Sequence, residues 1–167
     1  QALMEKGESY GIVNAGYRAI ESLRLEKGYR SWSSDITADT SPFEAGLGWA
    51  VKLNTEIDFI GREALLDNQK KPLKKRLVCF TIENPDVVLL GRETIYRNNK
   101  IVGWLTSGGW GYTVQKNIGY GYVRNSEGVS ENYLISGSYE LEIATVRYPC
   151  KLHLESLYNP KLDPIKQ

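Results

Sequence analysis

The strongest constraint in this sequence is an alternation of apolar and polar residues near its end. Within residues 146–155 the apolar side chains take every second position: Val146, Tyr148, Cys150, Leu152 and Leu154. A period of two places these side chains on one face of an extended strand. Pro149 interrupts the intervening positions and has no backbone N–H to donate. We therefore expect an edge strand or a β-bulge there.

Three earlier segments also predict strands. Residues 77–82 form a near-continuous apolar run of strand length, and residues 116–124 alternate bulky side chains with Gly and Val. Residues 95–104 predict a hairpin that turns at Asn98-Asn99, because Asn tolerates the positive φ of a type I′ turn. Short strands with turn signals at close intervals favour a small closed barrel or a jelly roll.

The first part of the chain predicts helices instead. Residues 15–27 carry Tyr17, Ile20 and Leu23 at helical spacing, with Asn14 as the expected N-cap and Gly28 as the stop.

A second helix is expected over residues 59–70, with Asp58 as its cap and Pro72 after its end. Between the two helices, residues 48–53 predict a strand. We place the change from helical to β character in the basic stretch 70–75.

Composition excludes several classes of function. The formal net charge of +1 gives no global field that would attract nucleic acid or a membrane surface. No apolar run approaches the roughly 20 residues that cross a bilayer. Cys79 and Cys150 match no metal or redox spacing, and the lone His153 cannot build a zinc site, so we expect no metal.

The cluster Ser107-Gly108-Gly109-Trp110-Gly111 has two interpretations. Predicted strands flank it on both sides, which differs from the strand–loop–helix pattern of a phosphate-binding loop. It is either a turn or bulge in which glycine allows positive φ or close backbone approach, or a loop that lets a flat ligand approach the backbone.

A collinear series of motifs covers nearly the whole chain. It begins with residues 16–30, GYRAIESLRLEKGYR, and continues with the segments 35–37, 40–47, 58–65, 76–80, 95–96, 102–108 and 118–123. This series resembles the glycine cleavage T-protein (aminomethyltransferase) superfamily. The Glu-Lys-Gly-Tyr-Arg form is most similar to the T-protein-like halves of sarcosine and dimethylglycine dehydrogenases.

The resemblance implies an α+β protein. Residues 1–72 would be the C-terminal part of the folate-binding α/β domain. Residues 73–167 would form the C-terminal antiparallel β-barrel, of jelly-roll or Greek-key type. It also implies a tetrahydrofolate site, with FAD only where a flavin domain precedes this part in the parent protein.

The family's catalytic aspartate and its pterin-anchoring acidic residue lie in the N-terminal half, outside this sequence, so no catalytic residue is assigned. Ile20 and Glu21 stand where classical T-proteins carry an Arg-Asp pair whose arginine contacts folate. That folate contact therefore cannot be assigned to this chain.

Five residues remain as candidates for cofactor binding. Arg24 matches the family helix and is either a folate contact or half of a structural ion pair. Arg76, with the lysines at 70, 71, 74 and 75, either pairs with the glutamate tail of a folate or belongs to a solvated linker. Trp104, Trp110 and Tyr112 are candidates to cover the folate from the barrel side.

Three functions follow from the resemblance. The parent protein would transfer a one-carbon unit from an amine donor to tetrahydrofolate, or this part would be the carbon acceptor of a flavin-dependent dehydrogenase. The third is a non-catalytic regulatory or interaction subunit. Because the chain opens on Gln1 without an initiator methionine, we expect a processed or truncated piece. The first residues have no apolar run typical of a signal peptide, and we expect a location in a bacterial cytoplasm, or in a mitochondrial matrix if the source is eukaryotic.

The resemblance also makes predictions about partners. The missing N-terminal half, or another protein subunit, would pack on the helix around Tyr17, Ile20 and Leu23. Without such a cover, this apolar surface would be exposed and would favour a homo-oligomer or a domain swap. No nucleic acid and no membrane are expected as partners.

Overall fold

The computed structural model describes residues 1–161 of the chain. Its helical part comprises α1 (Ala2–Gly7), α2 (Tyr17–Lys27), α3 (Arg62–Gln69), α4 (Glu131–Ile135) and two 3₁₀ turns, Glu8–Tyr10 and Gly48–Ala50. Its strands are β1 (Lys75–Ile82), β2 (Thr94–Arg97), β3 (Lys100–Gly111), β4 (Lys116–Arg124), β5 (Tyr139–Ile143) and β6 (Val146–His153). Residues 162–167, the last part of the predicted barrel domain, lie outside the described residues.

The strands close into one antiparallel barrel in the order β1-β4-β3-β2-β5-β6. β2, β3 and β4 follow one another as neighbours, and β4 returns to lie beside β1, which is a Greek-key arrangement. Closure leaves the sheet without a free edge. The barrel expected from the sequence is confirmed.

β1 and β4 are buried on both faces, which explains their long apolar runs. Val78 pairs with Gly121, and Val78 packs inside the barrel with Phe80 and Leu105. The alternate side chains of the same strands point outward and form a second cluster with α2: Leu25, Leu77, Cys79, Ile118, Tyr120 and Tyr122. The sequence of a strand that is covered on both faces is continuously hydrophobic and does not alternate between apolar and polar residues.

Glycine on β3 and β4 allows the close approach of these two strands. A Cβ added to Gly103 would overlap the backbone oxygen of Tyr122, and one on Gly121 would lie 2.6 Å from the oxygen of Trp104. Within the predicted cluster, a Cβ on Gly108 would meet Leu89 at 2.8 Å. The cluster is therefore part of β3, just after a register shift between Leu105 and Ser107, and its glycine residues serve close approach rather than positive φ.

The hairpin prediction is confirmed, since Asn98 and Asn99 have φ values of 49° and 65°. The edge-strand prediction is confirmed at Pro149 itself, because residues 146–150 of β6 pair with β5 alone and only residues 151–153 pair with β1. Pro149 pairs with β5 and lies two residues before the pairing with β1 begins at Lys151. Its missing N–H therefore leaves the pairing with β1 intact.

Three predictions in the first part of the chain are corrected. Residues 48–53 contain a 3₁₀ turn instead of a strand, closed by a hydrogen bond from the N–H of Val51 to the oxygen of Gly48. α2 begins after Gly16 instead of Asn14. α3 begins after Gly61, whose φ of 90° lies outside the helical region and prevents an earlier start at Asp58.

We expect Gly103→Ala to destabilise the protein by at least about 3 kcal/mol, because the new methyl group can be placed only by separating β3 from β4. Urea denaturation followed by circular dichroism measures the loss. Gly16→Ala is the control, because its Cβ would meet nothing within 4 Å. Its cost should stay below about 1 kcal/mol, and equal losses in the two variants would contradict the packing argument.

Candidate functional site

The face of α2 that lies on the barrel is largely polar. The hydroxyl of Ser22 donates to the backbone oxygen of Trp110 at 2.8 Å. The carboxylate of Glu26 accepts the N–H groups of Thr113 at 2.5 Å and Val114 at 3.0 Å, and Glu26 is 2% exposed. These bonds satisfy the buried carboxylate and fix α2 against the turn between β3 and β4.

A buried ion pair joins α2 to the barrel. Nη1 of Arg24 donates to the carboxylate of Asp35 at 2.8 Å and to the hydroxyl of Ser107 at 3.0 Å. The Asp35 carboxylate also accepts from Thr106, Ser107 and the N–H of Ser31. The remaining edge of the Arg24 guanidinium binds Glu21.

The outward face of α2 is apolar. Tyr17 is 74% exposed, Ile20 57% and Leu23 60%. Ile20, Leu23 and Arg24 line a smaller cavity of about 440 Å³ beside the helix. The usual arrangement of an amphipathic helix is therefore reversed, with its polar side on the barrel and its apolar side towards solvent.

A larger cavity of about 620 Å³ lies at the C-terminal end of α2. Two aromatic side chains, Tyr29 and Trp49, line it together with the cationic side chains of Lys27 and Arg30. Arg30 is held in place because Nε donates to the backbone oxygen of Ala45 at 3.0 Å and Nη1 donates to Gly28. Apolar walls with a few fixed polar groups are typical of ligand sites of this size.

The hydroxyl of Tyr120 lies below the larger cavity, 3.1 Å from where a Cβ of Gly28 would be. Tyr120 is 5% exposed, and its hydroxyl interacts with the thiol of Cys79 but makes no well-formed hydrogen bond to any group within residues 1–161. Burial is the main cause that raises the pKa of this phenol, so the group stays protonated and is available as a donor. Gly28 ends α2 with a φ of 76°, and its missing Cβ leaves room beside this hydroxyl.

The five sequence-predicted site residues fall in different places. Arg24 lines the smaller cavity. Trp110 and Tyr112 follow each other closely at the end of β3 near α2, where Trp110 is half-buried and Tyr112 is 71% exposed.

Arg76 lies on β1 and pairs with Glu131 of α4 at 3.3 Å, and Trp104 lies under the guanidinium of Arg124. The structure thus groups Arg24 with the end of β3 and places Arg76 and Trp104 in other clusters. Their role in cofactor binding stays a prediction.

Sequence reasoning missed the larger cavity. Tyr29 and Arg30 belong to the Glu-Lys-Gly-Tyr-Arg motif, which draws attention to this segment of the sequence. The motif alone does not show that these two residues line a cavity. Trp49 was assigned to a strand that does not form. The lining comes from three distant segments of the chain, so no local pattern could reveal it.

Burial raises the pKa of both the Cys79 and the Cys150 thiol to about 12. Neither thiol is therefore a ready nucleophile at neutral pH. The part of the chain that the structure describes contains no group of three or more His, Cys, Asp or Glu side chains placed to hold a metal ion. Among those same residues, no helix has the length and apolarity to span a membrane.

We expect Asp35→Asn to destabilise the protein by about 3 kcal/mol, because it leaves the guanidinium of Arg24 without its buried counter-charge. Thermal and urea denaturation measure the loss. Asp39→Asn, at an exposed position nearby, should change stability by less than about 0.5 kcal/mol. The double variant Arg24→Met, Asp35→Asn should recover part of the loss, and no recovery would contradict the ion-pair explanation.

Several known proteins are similar to this chain in sequence or in fold. Sarcosine dehydrogenase of Mus musculus is 44% identical over 168 residues, which cover 99% of this chain and 18% of that protein. Dimethylglycine dehydrogenase of Homo sapiens is 42% identical over 156 residues, 93% of this chain and 17% of that protein. The chain thus spans less than a fifth of the length of these two curated relatives.

The fold has a solved counterpart in aminomethyltransferase T of the glycine cleavage system from Bartonella henselae. It superposes with a TM-score of 0.77 at 27% identity, over 95% of this chain and 44% of that chain. The GCVT N-terminal domain family matches residues 1–55, and the glycine cleavage T-protein C-terminal barrel domain family matches residues 75–159. The chain therefore belongs to the glycine cleavage T-protein family, and it contains an aminomethyltransferase-like domain with that family's C-terminal barrel.

Proposed function

We propose that this chain supplies part of a tetrahydrofolate site in a protein that transfers a one-carbon unit from an amine donor to tetrahydrofolate. The observation that carries the proposal is the superposition of almost the whole chain on an aminomethyltransferase. In the domain division that we propose, residues 1–72 belong to the folate-binding domain and residues 73–167 to the barrel.

The larger cavity fits a folate in size and chemistry. Its volume of about 620 Å³ lies in the range of roughly 300–1,000 Å³ that small-molecule sites occupy. Tyr29 and Trp49 offer aromatic faces for a flat ring system. Arg30 and Lys27 offer charges for a carboxylate.

When bound, tetrahydrofolate would supply the nitrogen that accepts the one-carbon unit. The part played by this chain is to bind and orient the folate and to exclude water. The rigid mounting of α2 through Arg24 and Glu26 keeps the lining residues in fixed positions, which is the contribution that orientation requires.

A second candidate is the carbon-acceptor part of a flavin-dependent dehydrogenase. Its support is the 44% identity to a sarcosine dehydrogenase over 99% of the chain. The redox chemistry would then belong to a flavin bound elsewhere in the parent protein, and this part would receive the one-carbon unit on tetrahydrofolate. The two dehydrogenases named above are mitochondrial, which supports a mitochondrial matrix location if the source is eukaryotic and leaves a cytoplasmic one if it is bacterial.

We further propose that the exposed apolar face of α2 is covered by a GCVT N-terminal domain, in the same protein or in another subunit. The support is the position of this face. It lies on the segment that matches that domain family, and it carries three large apolar side chains in one stripe. A single chain in solution would hide the same stripe by self-association.

Folate binding tests the first proposal. We expect the Trp49→Ala variant to bind 5-formyltetrahydrofolate about 10-fold more weakly in isothermal titration calorimetry, because it removes an aromatic wall of the cavity. Trp32→Ala is the matched control, since Trp32 is also exposed and does not line the cavity. Titrations are made on the chain alone and with a GCVT N-terminal domain supplied as a separate chain. Absence of binding in both would overturn the proposal and favour a regulatory or interaction role.

Sedimentation velocity tests the covered face. We expect the chain to associate in a concentration-dependent way, and the Ile20→Lys, Leu23→Lys variant to remain monomeric, since two charges on the stripe oppose its burial. Ile60→Lys is the control, because Ile60 is fully exposed outside the stripe. A parent chain that is monomeric at every concentration contradicts the self-association prediction.

A further inference from the structure

A groove with several cationic side chains runs along the barrel, away from the two cavities beside α2. One part of it, with a volume of about 370 Å³, is lined by Arg97, Lys100, Arg124, Asn125 and Ser126. It continues through Arg124, Asn125 and Ser126 into a second part of similar volume that includes Lys74 and Lys75. The turn of the β2–β3 hairpin and the end of β4 thus form one continuous depression.

The cations of the first part lack carboxylate partners. No ion pair within 4.0 Å involves Arg97, Lys100 or Arg124 in the described part of the chain. The Asn125 and Ser126 side chains add polar groups to the same wall. Three cations without a counter-charge around one depression repel one another, and a bound anion would offset that repulsion.

Arg124 is held in position before any ligand arrives. Its guanidinium lies 3.9 Å above the ring of Trp104, and Nη1 donates to the backbone oxygen of Tyr122 at 3.3 Å. Stacking on an aromatic face leaves the in-plane N–H groups free to bind an oxyanion in a forked geometry. Trp104 therefore serves as a platform for Arg124 on this side of the barrel.

Arg97 is held in a similar way. Its guanidinium lies 4.0 Å above the ring of Tyr133, while Nε and Nη2 donate to the backbone oxygen of the same residue. Nη2 also donates to the hydroxyl of Ser136 at 3.1 Å. Because aromatic rings and backbone oxygens already hold these two arginines in place, they lose little conformational entropy when they bind a ligand.

Two acidic residues lie near the groove. Glu44 lines its second part, where it lies 3.8 Å from Lys75, and the N–H of Glu127 donates to the side chain of Asn125 in the adjoining turn. Burial lowers the pKa of the Arg124 guanidinium, against the opposing effects of Tyr122 and Glu44. The guanidinium stays charged at neutral pH, and an anion beside it would compensate for the solvent that burial removes.

We infer that Arg97, Lys100 and Arg124 form a binding site for a compact multivalent oxyanion, such as the phosphate or carboxylate groups of a small ligand. The site is separate from the proposed folate site and does not depend on it. Forked arginine groups match the planar or tetrahedral oxygen arrangement of these anions, and the lysine adds a mobile point charge.

Titration of the 15N-labelled chain with pyrophosphate, and in parallel with citrate, tests the site. We expect saturable amide shifts confined to residues 97–102 and 124–126. The Arg124→Gln variant should bind about 10-fold more weakly and Lys100→Gln about threefold, in line with the loss of a forked and of a single charge-assisted bond. The ratio of pyrophosphate to citrate affinity separates a phosphate ligand from a carboxylate ligand.

Lys151→Gln is the matched control, because Lys151 is an exposed lysine on β6 outside the groove. It should leave both affinities unchanged. An equal loss in Lys151→Gln and Lys100→Gln would show only general surface attraction and would overturn the inference. Shifts centred outside the groove, or no saturable binding of either anion, would overturn it as well. Lys100 is exposed, so its variant keeps the test valid if Arg124→Gln fails to fold.

Discussion

The carboxylate of Asp35 is the point on which the arrangement of this molecule depends. It is almost fully buried, and it accepts hydrogen bonds from α2 through Arg24 and from β3 through Thr106 and Ser107. Its own backbone oxygen accepts from the hydroxyl of Tyr122 on β4. A carboxylate this deep is tolerable only when its charge and lone pairs are matched. One residue in a loop therefore fixes a helix against two strands.

This attachment is directional in a way that apolar packing is not. An apolar contact would let α2 rotate about its axis with little change in buried area, whereas the bonds of Arg24, Ser22 and Glu26 fix one rotational setting. That setting turns Ile20 and Leu23 outward. The exposed apolar stripe and the two cavities beside it are consequences of how the polar side is held.

Local patterns predicted those parts of the fold that local chemistry determines. β4 and the turn at Asn98-Asn99 follow from period and from residues that tolerate positive φ. The strand prediction for residues 48–53 is wrong because a strand needs a neighbouring strand as its partner. Here the 3₁₀ turn forms its backbone hydrogen bond within the segment instead. Periodicity carries no information about which neighbour is available.

The candidate site was less accessible to sequence reasoning for the same reason. Its lining residues come from segments around positions 28, 48 and 156, which only the folded chain brings together. The structural role of Trp104 depends on Arg124, which is twenty residues away in the sequence and covers one face of the ring. An aromatic residue in a sequence shows that a flat apolar surface exists, and the fold decides what lies on it.

β4 connects the two candidate sites. The side chain of Tyr122 reaches Asp35 on the α2 side, and its backbone oxygen accepts from Arg124 on the groove side. A strand buried on both faces, with glycine at 119 and 121 against its neighbour, has no room to shift. Coupling between sites requires an element with two arrangements. β4 has only one arrangement open to it and therefore fixes the positions of both candidate sites. This geometry favours two sites that bind their ligands independently.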